Sequence, residues 1–105
     1  MNHTSKRYRQ INIWSRLGDG RIAVYRCFEV LPEGKYCVQS KDFFSDPIDV
    51  EALRRSELQI LELLTEEVPE IRTEAYDSLE EAIQKHEEEF AWSYALEKQQ
   101  AEPAK

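Results

Sequence analysis

Glycine is scarce in this chain: three residues in 105, at positions 18, 20 and 34. That scarcity rules out a phosphate-cradling glycine loop and a dinucleotide fingerprint, each of which needs several glycines close together. No serine nucleophile elbow and no recognisable pair of catalytic acids occurs either. Cysteine is limited to Cys27 and Cys37, ten positions apart and without a CxxC spacing. A metal pair would need two more ligands, and the sequence offers only His3 and His86. Two ordinary thiols are the favoured reading, ahead of a redox or metal pair.

No apolar run approaches the roughly 20 residues that span a bilayer. The opening MNHTSKRYRQ has basic residues but no apolar segment after them, so a secretory signal is not expected. The expectation is a cytoplasmic protein with reduced cysteines, no cofactor and no membrane partner.

What is present is charge, unevenly spread. Residues 1–45 hold eight Lys/Arg against four Asp/Glu, whereas residues 46–105 hold six against seventeen. The split is explained first by glutamate-rich helices following strands. A basic recognition face beside an acidic helical half is the functional alternative. The net charge of −7 opposes a general nucleic-acid binder. The acidic runs Glu66-Glu67 and Glu87-Glu88-Glu89 read as solvated helix surface.

Hydrophobic patterning divides the chain into a polar tail at 1–7, one domain over 8–99 and a second tail at 100–105. Strands are expected at 8–16, 21–31 and 35–44, joined by turns at Leu17-Gly18-Asp19-Gly20 and Leu31-Pro32-Glu33-Gly34. The second turn suits a type I geometry, which makes facing residue numbers sum to 66. Ile22, Val24, Phe28, Val30, Tyr36, Val38 and Phe44 then share one face. A tip at Gly18-Asp19 adds Ile11 and Ile13 to it. Arg26 and Asp42 also fall on that face and read as a mutually satisfied cluster with Ser40, because either charge buried alone is costly.

Ser45 or Asp46 as cap, with Pro47 in the first turn, predicts a helix over about 48–66 with a stripe at Val50, Leu53, Ile60, Leu61, Leu64 and Val68. Pro69 ends it, and residues 70–76 are expected to form a fourth strand. Ser78 and Glu81 form a capping box for a last helix reaching about Lys98. The predicted class is α+β: an antiparallel sheet of three to four strands with two helices, in the order β-β-β-α-β-α.

The predicted register places Tyr8, Trp14, Tyr25 and Phe43 on the opposite face, with Gln10, Asn12 and Gln39 between them and Arg16, Arg21 and Lys41 at the borders. Aromatic residues interleaved with cations suit a protein partner, a homodimer interface or single-stranded nucleic acid. Cover by the last helix through Trp92 and Leu96 is the alternative that needs no function. The candidate binding residues are therefore Trp14, Tyr25, Arg21, Lys41 and Phe43. His86 lies on the apolar stripe of the last helix. It reads as a packed histidine, or else as the partner of Cys27 or Cys37 in a thiol-imidazole pair.

The stretch YRCFEVLPEGKYCVQSKDFF, the capped helix after it and the closing DSLEEAIQKHEEEF resemble small uncharacterised bacterial proteins that fold as single α+β domains. The resemblance spans residues 8–90; it implies the fold class and carries no activity or site residues. Three functions follow in order: a non-catalytic protein-interaction or regulatory domain, a single-stranded nucleic-acid module, and a thiol- or His-dependent enzyme.

Overall fold

A computed structural model of the chain describes residues 6–101, and from residue 92 onward the backbone alone. The element order is β1 (Arg7–Gly18), β2 (Arg21–Leu31), β3 (Lys35–Ser45), α1 (Val50–Glu66), α2 (Pro69–Arg72) and α3 (Leu79–Ala101). The strands form one antiparallel sheet in the order β1-β2-β3, and the class is α+β. Residues 1–5 and 102–105 of the expected tails lie outside the described residues, as do the side chains of Trp92 and Leu96.

Both expected turns exist, but each hairpin departs from its predicted register. At the first, Gly18, Asp19 and Gly20 all take positive φ, which glycine allows at no steric cost and aspartate tolerates. Gly18 faces Arg21 while Arg16 faces Ile22, so Leu17 is an extra residue in β1. At the second, Gly34 has φ +74° and its N–H bonds to the Val30 carbonyl at 2.8 Å. The Leu31–Pro32 peptide is cis, where a type I turn has it trans.

Facing residues in β2 and β3 sum to 66 from Ser45 to Ser40, then to 65 from Val38 to Lys35. Gln39 is the residue inserted between the two registers. A tertiary contact explains the bulge: the Gln39 amide donates to the Thr73 hydroxyl at 3.0 Å and to the Pro69 carbonyl at 3.3 Å. Each bulge shifts pairing by one position, and one position exchanges the faces.

The single apolar face is accordingly corrected to two covered faces. On one side Tyr25, Cys27 and Val38 pack with Ala82 of α3, joined by Ile11, Ile13, Tyr36 and Ile83. On the other, Phe28, Val30 and Cys37 pack with Ile60 of α1, joined by Tyr8 and Leu64. Residues 23–30 of β2 are all buried, as a central strand between two helical layers must be. The cysteines lie on opposite faces of the sheet, not as diagonal neighbours on one.

Helix α1 is capped by Asp49, whose carboxylate accepts from the N–H groups of Glu51 at 3.0 Å and Ala52 at 3.2 Å. Neither Ser45 nor Asp46 is the cap, and Pro47 precedes the helix. The expected fourth strand at 70–76 is replaced by the single turn of α2. Pro69 does more than end α1: it occupies the first turn of α2, where its missing N–H costs nothing. The backbone bridge of residues 70–76 to the sheet is at Tyr76, which exchanges two backbone bonds with Tyr36 at 2.7 and 2.8 Å. Ser78 caps α3 as expected, accepting from the Glu81 N–H at 3.0 Å.

Candidate interaction surface

Of the five candidate residues, two are used by the fold. Tyr25 is 9% exposed, and its hydroxyl donates to the Glu87 carboxylate at 2.7 Å. Lys41 reaches the same Glu87 oxygen at 2.9 Å and lies 5.0 Å from the Tyr25 ring centroid and 5.4 Å from that of Phe43. This cluster clamps α3 to the sheet. Burial by itself would raise the Glu87 carboxyl, but the hydrogen bonds from Tyr25 and Lys41 outweigh it and hold the pKa below its ordinary value of 4.5.

A carboxyl more acidic in the folded state adds stability above its unfolded pKa, and that contribution vanishes as pH falls through the folded value. The stability advantage of the natural chain over Glu87→Gln is expected to be full at neutral pH and to shrink as pH drops below 4.5. Urea unfolding of both chains across that range measures it. A gap of constant size would show that Glu87 carries no such linkage.

Trp14 is separated from Tyr25. The Leu17 bulge turns it to the α1 side, where it lies across from Val24, 5.9 Å from the Arg26 guanidinium and 6.3 Å from the Phe44 ring. The shared stacking face expected for Trp14, Tyr25 and Phe43 is thus divided between the two sides of the sheet. Trp14 nonetheless stays 48% exposed.

Beneath Trp14 lies a polar network that the sequence shows only in part. Arg26 is fully buried, donating through Nε and Nη2 to the Ser56 hydroxyl at 3.2 and 2.8 Å. Ser56 donates onward to Asp42 at 2.6 Å, and Arg26 Nε lies 3.5 Å from the same carboxylate oxygen. The expected Arg26–Asp42–Ser40 cluster therefore closes through α1. Ser56 was absent from the expected set; its signal is a small polar residue spaced between Leu53 and Ile60 on the inward stripe.

The residues left accessible gather at the Gly18–Gly20 end of the sheet. Arg21 and Phe43, the latter 51% exposed, join Leu17 and Phe44 around a hollow of 230 Å³. A second hollow of 490 Å³ runs along the outer side of β3 toward α1, lined by Phe43, Phe44, Asp42, Arg55 and Gln59 among others. Phe43 and Phe44 line both, so the hollows adjoin at this pair and together make the groove beside the half-exposed Phe43 ring. Neither Arg21 nor Arg55 has an ion-pair partner among the described residues. Leu17, Phe44 and Arg55 are contributions that strand alternation alone did not reveal.

The thiol-imidazole arrangement fares differently. Burial pushes the Cys27 thiol up to about 12, and burial raises Cys37 as well, so neither is poised as a thiolate. His86 packs 6.3 Å from Tyr25 and 4.7 Å from Phe90 between ring centroids, on the face away from Cys37. Burial, the strongest influence on it, lowers its pKa. It lines a cleft of 340 Å³ with Val38, Arg72, Thr73, Tyr76 and Lys85, among others. Among the described residues no helix is long and apolar enough to cross a membrane. No family model, curated protein or solved structure matches the chain.

Proposed function

We propose that this chain is a non-catalytic protein-interaction domain that binds an extended peptide segment in the groove beside Phe43. The observation that carries the reading is the half-exposed Phe43 ring beside two adjoining hollows, bordered by two arginines that have no ion-pair partner among the described residues. Its chemistry selects an apolar anchor for the Leu17–Phe44 hollow and an acidic residue beside it for Arg21 or Arg55. Single-stranded nucleic acid is the weaker match. Trp14 and Tyr25 stand on opposite faces, and Lys41 is already held by Glu87.

Selection of random peptides on the immobilised full chain tests the proposal. Enriched sequences are expected to pair a large apolar residue with a neighbouring Asp or Glu. Arg21→Glu and Phe43→Ser are each expected to weaken them by roughly tenfold or more. Failure to enrich, or binding indifferent to both substitutions, would overturn it. Salt-sensitive tryptophan quenching by a single-stranded oligonucleotide, without peptide binding, would favour nucleic acid instead.

A further inference from the structure

The opposite edge of the sheet poses a separate question. β1 runs from Arg7 to Gly18, pairs with β2 on one side and contains no buried residue. The three helices make their main contacts with β3. Among the described residues nothing pairs with the outer side of β1. Edge strands are normally blunted by short length, charged side chains, proline, bulges or a covering segment, because their unpaired N–H and C=O groups template another strand; of these β1 has charge, in Arg7, Arg9 and Arg16. β1 has no proline, and its one irregularity lies near its end, at Leu17.

We infer that β1 pairs antiparallel with β1 of a second copy of this chain, with Asn12 on the two-fold axis, joining two three-stranded sheets into one of six strands. Two-fold symmetry requires facing residue numbers to sum to an even value, since facing side chains share a face. A sum of 24 sets Ile11 against Ile13 of the second copy, twice, and continues the Ile11–Ile13–Tyr25 core face across the junction. Moving the register by two residues in either direction leaves an isoleucine opposite Arg9 or Ser15.

Charge excludes one neighbouring register. With a sum of 24, Arg9 faces Ser15 and Arg16 faces Tyr8, so no cation meets a cation. A sum of 22 would bring Lys6 against Arg16. The Arg16–Tyr8 pairing also has an acidic end point. The Tyr8 hydroxyl donates to Glu70 Oε2 at 3.2 Å, and Lys6 holds that same oxygen at 2.9 Å. The other oxygen, Glu70 Oε1, is buried without a hydrogen-bond partner among the described residues. Arg16 of the second copy, laid along the Tyr8 ring, ends beside this carboxylate; the symmetry repeats the contact.

Light scattering on the full chain is expected to give twice 12.4 kDa. Both native thiols are buried, so Asn12→Cys supplies the accessible one. Mild oxidation is expected to convert it to a covalent dimer, because facing Cα atoms about 4.5–5.5 Å apart suit a disulfide. Gln10→Cys is expected to stay uncrosslinked, its two copies standing about 14 Å apart along the strands. Ser15→Arg, which opposes Arg9 of the second copy twice, is expected to yield a folded monomer. A natural chain that is monomeric at roughly 100 μM, or a Gln10→Cys that crosslinks as readily as Asn12→Cys, would overturn the inference. The peptide groove lies on the β3 side, so either result leaves that proposal to stand or fall on its own test.

Discussion

Asp42→Ala is expected to lower the unfolding free energy by about 3–5 kcal/mol, a large share of the stability of a domain this size. The reason is the partner left behind. Arg26 is fully buried, and among the described residues its guanidinium hydrogen-bonds, apart from Asp42, only to the Ser56 hydroxyl. Its Nη1 has no hydrogen-bond partner among the described residues. Removing Asp42 strands a cation with one neutral acceptor in a low-dielectric site. Arg26→Met removes the charge itself and keeps most of the volume. Asp42, a partly exposed carboxylate, can then be solvated, so the cost is expected to be about 1 kcal/mol or less.

The double variant is therefore expected to recover most of what Asp42→Ala loses. Urea unfolding of the four chains gives the coupling directly. Additive effects, or an Asp42→Ala cost below about 1 kcal/mol, would mean that the guanidinium is stabilised by groups other than this carboxylate.

Phe28→Ala is expected to cost about 3–5 kcal/mol through lost burial and the cavity left behind. Phe28 is 2% exposed, packs with Val30, Cys37 and Ile60, and meets the Tyr8 ring edge-on at 6.1 Å between centroids. Phe43→Ala on the neighbouring strand is expected to change stability by about 0.5 kcal/mol or less, because that ring is half exposed. Thermal or urea unfolding of the two variants separates a core aromatic from a surface one. Equal costs would place Phe43 in the fold and remove the exposed ring on which the peptide groove depends.

Much of this architecture is determined by local sequence. Gly18, Gly20 and Gly34 mark the turns because those positions take positive φ. The stripe Leu53–Ile60–Leu64 specifies α1, and Ser78 with Glu81 starts α3, because these signals act within a few residues. Burial of β2 on both faces was not read from the sequence: the run from Ala23 to Val30 is mostly apolar at odd and even positions alike, yet the expected register made only one of those faces core.

Tertiary structure decided the rest, and it did so through parity. The bulge at Gln39 is held by Pro69 and Thr73, some thirty residues away, and no local pattern announces such a bond. It exchanges the faces of residues 35–38 of β3 relative to the expected register, and the bulge at Leu17 does the same for residues 7–16 of β1. Trp14 therefore parts from Tyr25, Cys27 parts from Cys37, and the expected recognition face is divided between the two sides of the sheet. Arg21 and Phe43 remain accessible because they lie at the Gly18–Gly20 end of the sheet, beyond the clamp that Glu87 makes on Tyr25 and Lys41. A strand's sequence determines which residues alternate; only its long-range bonds decide where the alternation slips.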